Sequence, residues 1–449
     1  MNRFAAFALT FMVSCAPIPS DPPPSRAMNT LQTLPPMKAF ASTSVAAPTR
    51  PNAEIAQDFL DLSFRMESGR TIPVMTRFEG PITVRVAGPA PQTLGRDLDG
   101  LLSRLRNEAG LDITRIDGPA ANITVEAVPQ AVLQRAVPRA ACFVVPRISS
   151  WSDFVLARNS AQVDWTTLRT RNRAVIFVPS DVAPQEIRDC LHEELAQALG
   201  PLNDLYRLPD SVFNDDNIHT VLTGFDMLIL RAYYAPELSS GLTRGAVAQR
   251  LPGLLARLNP SGQSVFGTAG ADTSRDWITA METALNRSGT PNSRRRAAER
   301  AIAIGQTLGW TGPREGFAYY AYGRLQVSND PGRALEAFNA AEAAYRRSPD
   351  TTIHAAHIAV QKSAFALASG DAQATLTLVD RAIPVAERHQ NAALMSTLMM
   401  FKAEALDMVG NTVDAQAVRL DSLGWARYGF GSDANVQARV SEIAALRPF

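Results

Sequence analysis

Apolar residues recur at helical spacing from Asn52 onward, with Ile55, Phe59, Leu62 and Met66 on one face. Asn52 is placed to cap that helix and Gly69 to end it. Ile82, Val84 and Val86 then alternate with polar neighbours, the period of a half-buried strand. Leu94, Leu98, Leu101, Leu102 and Leu105 predict a second amphipathic helix. Further strands are predicted at Ile123, Val125 and Ala127, from Cys142 to Val145, and from Val175 to Val178. A helix is predicted over 183–199. Strands interleaved with helices predict an α/β (α+β) domain with a mixed sheet over residues 52–260.

The pattern becomes wholly helical from about Trp277 to the C-terminus. Turn pairs Asn329-Asp330, Gly370-Asp371 and Gly410-Asn411 lie about forty residues apart, and each precedes an Ala-rich helix. Ala334, Ala337 and Ala341 belong to the first, Ala374 and Ala382 to the second, Ala415 and Ala417 to the third. This resembles degenerate tetratricopeptide-type hairpins, without the Trp that opens the consensus repeat. The expectation is an all-α helical-hairpin domain over 275–449, where small residues let paired helices approach.

The N-terminus reads as an address. Arg3 precedes an apolar run from Phe4 to Val13, too short for a membrane-spanning helix. Met12-Val13-Ser14-Cys15 resembles a bacterial lipobox, which implies removal of residues 1–14 and lipidation of Cys15. The alternative is an ordinary secretory signal. Ala16 after the Cys favours the outer over the inner membrane. Residues 15–51 carry nine of the thirty prolines and are expected to be a disordered tether. The expected location is the cell envelope, facing the periplasm. There Cys142 and Cys190 are left as one candidate disulfide, with two buried free thiols as the alternative.

With a net charge of +1, bulk electrostatics give no footprint for nucleic acid. Arg294-Arg295-Arg296 is the compact basic run and reads as a solvated helix start. The sequence has no glycine-rich phosphate loop in strand–helix context and no Gly-x-Ser-x-Gly elbow.

The most informative stretch runs from Glu193 to Asp204: Glu-Glu-Leu-Ala-Gln-Ala-Leu-Gly-Pro-Leu-Asn-Asp. Positions four apart on a helix face the same way, which lets HExxH hold one ion with two side chains. This segment resembles the metzincin motif HExxHxxGxxH, with Glu193, Gln197 and Asn203 at the ligand positions. Glu194 stands where the general base would be and Gly200 where the turn glycine would be. Asp210-Ser211-Val212-Phe213 resembles the Met-turn, with Phe213 in the methionine's place. Leu222 to Tyr234 resembles the last helix of matrixin-like peptidases, and Val175–Val178 would be the substrate-lining edge strand. The motif is also similar to a family of bacterial secreted proteins in which EExxQ replaces HExxH.

Oxygen donors at all three ligand positions suit zinc poorly. No cofactor is expected, or else a hard divalent cation on Glu193, Gln197, Asn203 and Asp204. The other reading is structural: Ile187, Leu191, Leu195, Ala198 and Leu202 form the apolar face, with Glu194 at its edge needing a donor such as Arg77. The functional expectation is an envelope lipoprotein. Its catalytically degenerate peptidase-like domain would bind extended peptides or envelope proteins, and its repeats would engage a further protein. The alternative is a hydrolase using Glu194 as general base with a weak or non-zinc metal site.

Overall fold

The computed structural model describes residues 34–41, 46–138, 140–263, 270–348 and 350–448. Cys15 and the signal-like segment lie outside them. Among the described residues no helix is long and apolar enough to cross a membrane.

The N-terminal half is an α/β domain. Its elements are α1 (Asn52–Phe64), β1 (Ile82–Ala87), α2 (Gln92–Ala109), β2 (Ile113–Arg115) and β3 (Ile123–Val128). There follow α3 (Gln130–Ala136), β4 (Phe143–Pro146), α4 (Trp151–Ala157), β5 (Ala174–Pro179), α5 (Pro184–Leu199), α6 (Gly224–Tyr233) and α7 (Arg244–Leu258). The sheet runs β2-β1-β3-β5-β4, parallel except for the last pairing. All six residues of β5 are buried, as the unbroken apolar run Ala-Val-Ile-Phe-Val-Pro requires of a strand covered on both faces. The edge position expected of Val175–Val178 therefore goes to β4, which pairs antiparallel with β5.

The core gathers Ile55, Phe59 and Leu62 of α1, the leucines of α2, and Leu191 and Leu195 of α5. Asn52 does not cap α1. Its amide donates to the main-chain oxygens of Leu255 (3.2 Å) and Asn259 (2.9 Å), tying α1 to the end of α7. Nor does α1 reach Gly69: it stops at Phe64, and Arg65 bridges to Thr71 around a turn in which Gly69 has φ +80°.

Helices α8 (Arg275–Leu285), α9 (Pro291–Thr307), α10 (Pro313–Gln326), α11 (Pro331–Tyr345), α12 (Thr352–Ala368), α13 (Ala372–Arg388), α14 (Ala392–Met408), α15 (Thr412–Phe430) and α16 (Asp433–Ala444) follow. Sequential helices pack as hairpins, a repeat-like arrangement that fits the tetratricopeptide type. Asp330, Asp371 and Asn411 of the turn pairs each cap the next helix through a side-chain oxygen. Ala334, Ala341, Ala382 and Ala415 are buried where those helices pack.

Within residues 35–41 and 46–51, expected to be part of a disordered tether, several residues are anchored on the folded chain. Phe40 stacks on Trp425 at 4.5 Å, and the Lys38 amide donates to the Gly424 carbonyl at 3.0 Å. Gly224 has no room for a side chain, because a Cβ there would lie 1.8 Å from the Ala46 carbonyl oxygen. Arg50 is buried against Asp58 (2.5 Å), Glu54 (2.9 Å) and Asp210 (3.1 Å), and its guanidinium lies over the Phe225 ring. A composition rich in proline disfavours regular structure but not docking, and these anchors are aromatic and ionic.

The two halves meet along α5. Gln185 donates to the Asn391 side chain at 3.0 Å and accepts from the Ala393 amide at 2.9 Å, while Arg188 donates to the Gln390 carbonyl. A second seam holds histidines far apart in sequence: the His219 ring lies 5.8 Å from His354 and 5.4 Å from His389. His354 Nε2 is 3.0 Å from Asp216 Oδ2.

Candidate functional site

Helix α5 carries the motif, and it is fixed near its middle and at its C-terminal end. Cys142, just before β4, is disulfide-bonded to Cys190 with their Cα atoms 5.9 Å apart. Glu193 and Glu194 follow Cys190 by three and four positions, so they lie one turn further along the face tied to the edge strand. At the C-terminal end Arg171 is buried against the Trp165 ring. It donates to the carbonyls of Gln197 (2.5 Å), Ala198 (2.8 Å) and Gly200 (2.5 Å). Those are the orphan acceptors of the helix terminus, where a cation is favoured by the helix dipole. Sequence reasoning missed Arg171, because nothing in its neighbours marks which arginine turns inward.

Gly200 closes the helix with φ −165°, which any residue adopts. The glycine is needed for closeness: a Cβ there would lie 3.0 Å from the Tyr233 ring.

Beyond Gly200 the motif positions diverge. Asn203 donates to the Asp61 carbonyl of α1 at 3.0 Å, so it stitches the loop to α1. Gln197 is buried. His192 is buried too, and its Nδ1 accepts from the Leu222 amide at 3.1 Å, which fixes a neutral ring. Arg77, the candidate partner for Glu194, is spent elsewhere, on the carbonyls of Tyr233 (3.0 Å) and Ala235 (3.1 Å) and on Glu79. Among the described residues no three His, Cys, Asp or Glu side chains are arranged to hold a metal ion.

A carboxyl cluster is assembled instead. Glu67, from the turn after α1, and Asp215 join Glu193, Glu194 and Asp204. Burial, then the Glu67 and Asp215 charges, push Glu193 up to about 7. Burial, then Glu193 and Glu67, hold Glu194 in its acid form well above the usual carboxylate range. Asp204 is held well above the usual carboxylate range by burial, then by the Glu67, Glu193 and Asp215 charges. Asp215, raised to about 6 by burial, is hydrogen-bonded to Tyr206. Glu194 Oε2 and Asp204 Oδ1 are buried without a hydrogen-bond partner, a costly state unless something else fills the gap. A carboxyl that already holds its proton cannot take up another near neutrality, so Glu193, not Glu194, is poised to exchange protons there.

The segments flanking the cluster are tied by Asp226. It accepts from Ser211 Oγ (2.5 Å), the Val212 amide (3.1 Å) and the Thr223 amide (2.8 Å), completing a capping box on α6. Phe213 is fully buried beside it.

The edge strand completes the site. Arg147 N–H donates to the Arg173 carbonyl, so the pairs two and four residues back, Val145 with Val175 and Phe143 with Phe177, are the hydrogen-bonded ones. Val144 therefore directs its N–H and C=O away from the sheet, and Pro146 has no N–H to leave unpaired. Among the described residues no backbone group pairs with that outer edge.

Residues 52–253 match the model of a family described as "Protein of unknown function (DUF2927)". In this chain the matched domain is followed by the helical region from α8 onward. No curated protein and no solved structure matches the chain.

Proposed function

We propose that the matched domain is a binding module for extended peptides bearing a basic side chain, with a degenerate peptidase-like ancestry. The observation that carries this reading is the outward N–H and C=O of Val144, on an edge strand joined through Cys142–Cys190 to the helix that bears Glu193 and Glu194. A peptide strand added there gains main-chain hydrogen bonds. A lysine or arginine on it would supply the donors that Glu194 Oε2 and Asp204 Oδ1 lack, and would neutralise Glu193. The order β2-β1-β3-β5-β4 with its antiparallel edge supports a peptidase-like scaffold, and the diversion of Asn203 to Asp61 supports loss of the metal. The helical hairpins hold α5 in place through Gln390, Asn391 and Ala393 and offer a second surface for a protein partner. Lipidation of Cys15 would keep the chain at the envelope membrane.

The test is fluorescence anisotropy with unstructured lysine-containing peptides and their norleucine counterparts. Lysine peptides should bind more tightly, the preference should weaken in Glu193→Gln, and N-methylation of the peptide backbone should abolish binding. Equal affinity for lysine and norleucine peptides would remove the role given to the carboxyl cluster. Cleavage of the peptides that disappears in Glu193→Gln would instead establish a hydrolase.

A further inference from the structure

A second site lies at the far end of the edge strand. Arg147, Arg169 and Arg173, with Thr170 and Asn172, line a pocket of about 440 Å³. The pocket has no acidic residue in its lining.

Arg147 follows Pro146 at the end of β4, and Arg173 precedes Ala174 at the start of β5. The Arg147 N–H donates to the Arg173 carbonyl at 2.8 Å, which makes the two residues a directly opposed cross-strand pair. Like charges directly opposite on adjacent strands repel. Nothing on the protein relieves this pair. Arg173 and Arg169 are exposed, and among the described residues neither forms an ion pair. The carboxylate in the preceding loop, Asp164, is committed to Arg70 and to the Thr166 amide.

Arg147 is also held in place. Its backbone is left-handed, with φ 63°, a conformation that side-chain-bearing residues seldom adopt. Its guanidinium donates to Thr167 Oγ1 (2.7 Å), to the Thr167 carbonyl (2.8 Å) and to the Ala161 carbonyl (3.2 Å). One arginine is thus preset, and two exposed ones flank it across a concave surface.

We propose that this pocket binds a phosphate-bearing anion, gripped by Arg169 and Arg173 over the fixed charge of Arg147. Guanidinium forks match phosphate oxygens in pairs, and a doubly charged oxyanion offsets the opposed Arg147–Arg173 charges better than a carboxylate does. The volume suits a phosphate with a sugar- or glycerol-sized substituent. The ligand's source is either a soluble phosphate ester or the headgroup of an anionic phospholipid. The inference stands apart from the peptide-binding reading, since it uses none of the same residues.

The experiment titrates the purified full chain with inorganic phosphate by calorimetry, and separately with phosphatidylglycerol vesicles in a sedimentation assay. Each is repeated with Arg169→Ala/Arg173→Ala and with Arg169→Lys/Arg173→Lys. Both changes fall on exposed side chains, and circular dichroism checks that the fold is kept. Saturable phosphate binding is expected, weakened about tenfold or more by the alanine pair and by a smaller factor in the lysine pair, which keeps charge but loses the fork. Vesicle binding that needs the same arginines and is displaced by phosphate identifies a lipid headgroup. Phosphate binding without vesicle binding identifies a soluble ester. Phosphate affinity unchanged in the alanine pair, or no saturable phosphate binding, overturns the site.

Discussion

Cys142 at the edge strand is covalently joined to Cys190 on the motif helix. The strand edge offered for pairing and the turn of helix bearing Glu193 and Glu194 therefore move as one piece. The bond spans 48 positions of sequence. Closing a loop of that length removes enough unfolded-chain entropy to stabilise the fold by about 2–4 kcal/mol. A Cys142→Ser/Cys190→Ser double variant should lower the unfolding free energy by that amount and shift the urea midpoint down with it, and adding reductant to the wild type should reproduce it. Superimposable urea curves would mean that packing alone holds β4 to α5.

Arg171 caps three carbonyls at the end of the same helix while buried against Trp165. Removing it leaves those acceptors without a donor, at about 1–3 kcal/mol for each one that stays dry. Arg171→Met should cost about 3 kcal/mol or more. Arg171→Lys should rescue little of it, because an ammonium cannot reach all three oxygens in the plane of a fork. A melting temperature for the lysine variant close to wild type would show that charge, not geometry, is what the helix end needs.

Glu193 links stability to pH with a definite sign. Its folded value, about 7, lies above the ordinary 4.5, so the folded protein binds the proton more tightly than the unfolded chain does. The stability this group contributes is fully present below 4.5 and is lost as pH rises through about 7. Glu193→Gln should flatten that decline, leaving the variant at least as stable as wild type on the alkaline side. Chemical denaturation across this range measures it. A variant whose pH profile runs parallel to wild type would place the titration on other groups, such as Asp215 or Asp189.

The histidine seam has the opposite sign. Burial lowers His219 and His357 to about 4 and His389 to about 3, against an ordinary 6.5. Neighbouring histidine charges add to the effect, as does Arg388 at His389 and Arg324 at His357, while Asp216 opposes it at His219 and His357. The unfolded chain takes up protons first, so stability should fall as pH drops from 6.5 towards 4. Hydrogen exchange should show α12 and the 215–219 loop losing protection together in that window. His219→Gln should shallow the slope, and a loss confined to the α/β domain would contradict a shared seam.

Local order was legible in the sequence. Alternation at Ile82, Val84 and Val86, the leucine stripe of α2, and the turn pairs ending in Asp330, Asp371 and Asn411 follow from backbone geometry within a few residues. The sequence reduced the disulfide to one candidate pair, and helical spacing placed Glu193 and Glu194 a turn from Cys190. What the tertiary structure decided was every contact between distant segments. It put β4 rather than β5 at the sheet edge, turned Asn203 to the Asp61 carbonyl and Arg77 to the end of α6, and drew in Arg171. It also brought Glu67 and Asp215 to the motif carboxyls, and seated Phe40 and Arg50 on a folded surface. Periodicity encodes which face of an element is buried. Which side chain meets which depends on how faces from remote parts of the chain close together, and a buried carboxyl or guanidinium takes its partner, and its charge, from that closure.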